Sequence, residues 1–113
     1  MSALELRLWK TPEFDAWYGS LRDTERTRID ARLDRLKIGH LGSSRDLGEG
    51  LFELKWVNGM RVYYSRKRIG EVDTIVLWGG FKGSQKADIR KARALKERYE
   101  HELKEESAGG SEG

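Results

Sequence analysis

The stretch LFELKWVNGMRVYYSRK, residues 51–67, limits what this chain can fold into more than any other segment. Apolar residues alternate on both sides of Asn58-Gly59, the period of two that half-buried strands show, so the segment is expected to form a β-hairpin. Two registers compete. A two-residue turn at Asn58 and Gly59 sets Lys55 against Val62 and mixes the apolar side of one strand with the polar side of the other. A three-residue loop, Val57 to Gly59 with Gly59 left-handed, sets Trp56 opposite Met60, Leu54 opposite Val62 and Lys55 opposite Arg61. The second register keeps Phe52, Leu54, Trp56, Met60, Val62 and Tyr64 on one face. A one-residue slip would turn one strand's apolar set outward, so burial selects it.

That register leaves a polar face of Glu53, Lys55, Arg61, Tyr63 and Lys67, with two cations directly opposed. Like charges placed this way destabilise a ladder. A phosphate held between them would remove the conflict, whereas a bland reading leaves both on a solvated surface. The segment WGGFKGSQKAD favours the phosphate. Its glycines permit a tight strand-to-helix turn, Ser84 can cap the helix, and Lys82 stands just before the helix N-terminus, where backbone N–H groups attract anions. The GxxxxGK[ST] spacing of a nucleotide-binding P-loop is absent.

Elsewhere the patterns are ordinary. Leu4, Leu6 and Leu8 alternate with Glu5, Arg7 and Trp9, which predicts a short strand. Thr11-Pro12 reads as a helix cap with proline at the first helical position. Phe14, Trp17, Tyr18 and Leu21 then share one helical face, and Ile29, Leu33 and Leu36 mark a second helix after Asp23 or Thr24. Residues 39–50, GHLGSSRDLGEG, read as a surface loop. Strands are expected at about 51–57, 60–67 and 72–78. A last helix carries Ile89, Ala92, Leu95, Tyr99 and Leu103 on one stripe, and residues 105–113 are expected to be a disordered tail beyond a single domain of residues 1–104. The element order predicts an α+β domain: an N-terminal strand, an antiparallel two-helix hairpin, a mostly antiparallel sheet of about four strands and a C-terminal helix. The helices should cover one sheet face and leave the other free.

Composition narrows the chemistry. Residues 51–86 hold seven basic and three acidic side chains, so positive charge gathers on the strands. A second basic run, Arg22 to Lys37, alternates with acids and reads as a solvated helix face. With no cysteine, thiolate nucleophiles and cysteine-bound zinc are excluded. His40 and His101 lie far apart without metal-ligand spacing, and no GxSxG elbow is present. No apolar run is long enough to span a bilayer and MSALELRLWK lacks a signal-peptide core, so a cytoplasmic protein with no membrane partner is expected.

The segments FELKW, GMRVYY and LWGGFKGSQKADIRKARAL together resemble the RelE/ParE superfamily of type II toxins, in particular its HigB-like, phage Gp49-related "addiction module killer protein" branch. TPEFDAWYGSLRDTERTRIDARLDRLKIGHLG is similar to that branch's helical hairpin, so the likeness spans about residues 4–100. The resemblance implies a RelE-like fold and a ribosome-dependent mRNA endonuclease that needs no cofactor or metal. It also implies neutralisation by an antitoxin, commonly a small helix-turn-helix protein. The motif positions fall on Lys55, Arg61 and Lys82 as the catalytic set. Arg61 would hold the phosphate, Lys82 would support the transition state or leaving group, and Lys55, beside another cation, is the candidate proton acceptor. Tyr63, Lys67, Trp78 and Lys86 are the candidate RNA contacts. Several related nucleases place a tyrosine or histidine early in the last helix or near the C-terminus, and the region near Asp88 and Ile89 offers neither. The alternatives from the same superfamily are a ParE-type gyrase poison and a non-catalytic RNA- or antitoxin-binding module.

Overall fold

The computed structural model describes residues 7–40, 42 and 44–110, the last three of these as backbone only. The chain runs β1 (Leu8–Lys10), α1 (Pro12–Gly19), α2 (Asp23–Lys37), β2 (Arg45–Gly48), β3 (Leu51–Lys55), β4 (Arg61–Ile69), β5 (Val72–Gly80) and α3 (Gln85–Gly110). The strands form one sheet in the order β1-β5-β4-β3-β2. β1 lies parallel to β5 and every other pairing is antiparallel. This is the expected α+β class. The Leu4 and Leu6 part of the expected first strand lies outside the described residues.

Thr11 fixes the first corner. Its hydroxyl accepts from the Phe14 N–H at 2.9 Å, which caps α1, and donates to the Leu77 carbonyl at 2.8 Å, which ties the cap to β5. The Glu25 carboxylate accepts from the Arg22 N–H at 2.9 Å and fixes the start of α2. Phe14, Ile29, Leu33 and Leu36 then pack on Leu54, Met60, Val62, Tyr64 and Val76, with Phe52 and Trp56 at the margin. The six residues expected on the buried hairpin face therefore lie there together.

The hairpin register is the expected one. Leu54 pairs with Val62 and Lys55 with Arg61, and Trp56 N–H donates to the Met60 carbonyl at 2.9 Å. Gly59 closes the three-residue loop at a φ of 91°, a left-handed conformation that costs a residue with a Cβ stability.

Three expectations are corrected. The second sheet face is not free: α3 lies across it, with Ala92, Leu95 and Tyr99 against Leu51, Tyr63, Ile75 and Leu77. Helices on both faces bury an apolar set on each, and β4 supplies both, Tyr64 to one core and Tyr63 to the other. The sheet has five strands, because β2 forms inside the segment read as loop. An edge strand is held by backbone pairing, and this one is mostly exposed, so it carries no apolar alternation to betray it. Finally, α3 continues through 105–110, where a disordered tail was expected. Lys104, Glu105 and Glu106 are good helix formers, Glu105 pairs with His101 one turn back at 3.5 Å, and Ser107 meets the β4–β5 turn at Gly70.

Candidate functional site

β3 and β4 end at the hairpin loop, β5 ends beside it at Gly80, and the chain then turns through residues 81–84 into α3. Arg61 sits in the middle of this end of the sheet, paired with Lys55 on one side and Gly80 on the other. Lys82 joins them from the turn. A Cβ built on Gly59 would lie only 3.0 Å from Lys82 Cβ, so the hairpin loop and the strand-to-helix turn rest on each other. The Arg61 Nη1 reaches the Gly59 carbonyl at 3.4 Å. Lys55, Arg61 and Lys82 are thus drawn to one corner, as the sequence suggested.

They do not share one environment. Arg61 is 7% exposed and Glu53 1% exposed, and Arg61 Nε stands 3.6 Å from Glu53 Oε2. Gln85, the first residue of α3, donates to the same oxygen at 3.0 Å. Arg45 stands 4.0 Å from the other carboxylate oxygen. A buried carboxylate therefore holds the inner edge of the guanidinium, as burying a cation requires. Nε makes no hydrogen bond, and Nη1 to Gly59 is the only hydrogen bond that Arg61 makes among the described residues. A five-donor group is oriented by charge and left with most of its donors unspent. Lys55 and Lys82 are exposed, and neither is ion-paired among the described residues. The corner carries one fixed guanidinium flanked by two exposed lysines.

The expected RNA contacts separate. Tyr63 is fully buried under α3, and its hydroxyl lies toward Glu53 without a hydrogen bond. Burial, then the Glu53 and Asp88 carboxylates, push its pKa well above the ordinary tyrosine value. It offers no face for a base. Trp78 is half-buried, its Nε1 donates to Asp88 Oδ1 at 3.0 Å, and Lys91 Nζ sits 4.0 Å from its ring centre. Lys86 is exposed on the first turn of α3, bordering a surface cleft with Gly83, Ser84 and Arg90. Lys67 is exposed but stands six residues along β4 from Arg61, about 20 Å at the usual strand rise. It flanks a different cleft with Arg66, Arg68 and Asp73.

Sequence reasoning missed Glu53, Gln85 and Asp88. Asp88 accepts from Trp78 Nε1 and from Ser84 Oγ, the latter at 2.5 Å. Gly80 makes room for it, since a Cβ there would fall 2.1 Å from Asp88 Oδ2. Gln85 and Asp88 stand three apart, on one face of the first turn, and that spacing was the available signal. The basic second helix is partly spent on structure. Arg26 pairs with Asp23, and Arg32 lies 4.5 Å over the Trp56 ring and donates to the Lys55 carbonyl at 2.7 Å.

The fold and this corner define a small α+β domain with one sheet, helices on both faces and a cationic end. The chain is 31% identical over 93 residues to an uncharacterized protein of Haemophilus influenzae, across 81% of this chain and 94% of that one. It belongs to the family of that protein. No family model matches the chain, and no solved structure matches it significantly. No helix among the described residues is long and apolar enough to cross a membrane.

Proposed function

We propose that the chain is the toxin of a type II toxin–antitoxin module and acts as a metal-free endoribonuclease on mRNA held by the ribosome. The supporting observation is the corner itself: a guanidinium fixed by buried Glu53, with unspent donors, beside two exposed lysines that make no ion pair among the described residues. Such a set suits a phosphodiester whose charge grows during reaction. Attack by the neighbouring 2′-OH places added negative charge on the phosphate oxygens, and fixed cations at a protein surface stabilise it more than water does. Arg61 grips the phosphate, because a planar fork matches two oxygens at once. Lys82, on the turn beyond, supports the departing oxygen. Lys55, across the ladder, takes the proton from the 2′-OH as the neutral amine, becoming the ammonium as the new O–P bond forms. The antitoxin, a small helix-turn-helix protein, would restrain this activity, and the cytoplasm is where both would meet translating ribosomes.

The experiment is primer extension on cellular mRNA after brief induction of wild type, Lys55→Ala and Lys82→Ala. Both lysine side chains are exposed and make no ion pair among the described residues, so each variant should keep the fold. New 5′ ends inside translated frames are expected in wild type, reduced roughly 10²- to 10³-fold in either variant. Growth arrest without new ends rejects the nuclease and makes DNA gyrase the next target to assay. Ends that persist in both variants reject this corner as the site.

A further inference from the structure

The register of β2 brings one more cation to the face that carries the phosphate site. Arg45 pairs with Glu53 across β2 and β3, and Glu53 pairs with Tyr63 across β3 and β4. Partners across a ladder share a face, as do residues two apart on one strand. Arg45, Glu53, Lys55, Arg61 and Tyr63 therefore all stand on the α3 side of the sheet, the side on which Tyr63 is buried. The contacts agree. One Glu53 oxygen lies 3.6 Å from Arg61 Nε and the other 4.0 Å from Arg45 Nη1, so no more than one carboxylate and two such contacts separate the guanidiniums.

A carboxylate shared in this way saturates neither arginine. A 4.0 Å approach is too long for a hydrogen bond, and the Arg45 side chain, 69% exposed, makes none among the described residues. An ion pair this open adds little to stability. Buried Arg61 already compensates Glu53, which leaves the Arg45 donors available to a second anion beside the first.

The proposed roles give the RNA strand a direction. Lys82, on the turn after β5, stands by the departing 5′ oxygen, Arg61 on β4 holds the phosphate, and Lys55 on β3 takes the proton from the 2′-OH. The strands lie in the order β5-β4-β3-β2. Crossing them runs from the 3′ to the 5′ side of the scissile bond, and Arg45 comes next. The nucleotide whose 2′-OH attacks carries a 5′-phosphate of its own, and a planar fork matches its oxygens.

We propose that Arg45 binds this second phosphate, one nucleotide upstream of the reacting one. The proposal rests on the reading of Lys55, Arg61 and Lys82 as the site of the reacting phosphate. Its ligand is the backbone of single-stranded RNA, and it adds no base preference, because phosphate contacts carry no sequence information.

The probes are three dinucleotides of 2′-O-methyl adenosine, which cannot undergo 2′-OH attack: one with its internal phosphate alone, one with an added 5′-phosphate and one with an added 3′-phosphate. Binding is followed through the Arg61 Nε–H resonance in wild type, Arg45→Gln and Arg45→Lys, with matching thermal melts to establish that the variants are folded. Wild type should bind the 5′-phosphorylated probe roughly 5- to 10-fold more tightly than the plain one, the range for a charge-assisted contact at an exposed site. Arg45→Gln should bind the plain probe nearly as wild type does at physiological salt and lose the 5′ gain, and Arg45→Lys should keep part of it. A 5′ gain absent from wild type or surviving in Arg45→Gln overturns the proposal, as does a 3′-phosphate that tightens binding equally and loses its effect in the same variant. In each of these cases the phosphate site still stands if the plain probe moves the Arg61 resonance and binds more weakly to Lys82→Ala. A plain probe that leaves that resonance unmoved, or binds Lys82→Ala undiminished, overturns the phosphate site and the proposal with it.

Discussion

Glu53 shows how one residue decides what can be tested. Its carboxylate is shut in with the Arg61 guanidinium and the Gln85 amide, so removing either charge leaves the other buried and uncompensated. Loss of one partner from a buried pair costs about 3–5 kcal/mol, whereas removing both is milder. Glu53→Gln and Arg61→Gln should each lower unfolding stability by this order in urea, and the double variant should lose clearly less than their sum. Strict additivity would show that the pair is not coupled. Function should accordingly be tested through Lys55 and Lys82, because Arg61→Ala would lose activity through the fold as well as through chemistry. The Lys55–Arg61 opposition was legible in the sequence because only one register buries Leu54 and Val62 together. Glu53 was not. A glutamate between Phe52 and Leu54 reads as solvent-facing, and it becomes interior only because α3 covers that face.

At the scale of the element, α3 is a long helix whose first turn does the positioning. Asp88 receives the Trp78 indole N–H and the Ser84 hydroxyl, and Gln85 binds Glu53. The turn that carries Phe81 and Lys82 is therefore bounded by β5 on one side and a helix pinned to β5 on the other. Asp88→Ala leaves those donors without their acceptor, at a cost of about 1–3 kcal/mol for groups removed from water. Gly80→Ala should act on the same latch from the opposite side, since its methyl group would take the carboxylate's place. Both should speed amide hydrogen exchange in residues 85–89 while central β4 and β5 amides keep their protection. Equal acceleration across the sheet would mean that Asp88 supports the whole fold instead. The stripe Ala92, Leu95, Tyr99 made this helix legible in the sequence. Its side of the sheet was not, because amphipathic spacing says that a face is buried and not against what. β2 escaped for a different reason: its contribution is backbone pairing, which leaves no trace in side-chain pattern.

At the scale of the whole molecule, two helical layers around one sheet place all four tyrosines where ionisation is opposed. The order of helices and strands pointed to the α+β class, but with one sheet face taken as free, Tyr63 would have been judged more exposed than it is. Tyr63 and Tyr64 are adjacent on β4 and enter opposite cores. Burial raises the pKa of both. Tyr18 is pushed up to about 12, by burial and then by its hydrogen bond to Asp30 at 2.7 Å. Tyr99 is raised by burial and then by its bond to Glu13. The unfolded chain releases these protons near the ordinary tyrosine value of about 10. Above that pH the unfolded state binds fewer protons than the native state, so stability falls as pH rises. The tyrosine contribution is fully present below about pH 10 and is lost through a window that for Tyr18 extends to about 12. Tyrosinate absorbance should therefore stay flat past the point where free tyrosine titrates, then rise together with loss of the circular dichroism of the fold. A tyrosine that ionises near its ordinary value while the fold persists would show that one of the two layers is open to solvent over the sheet.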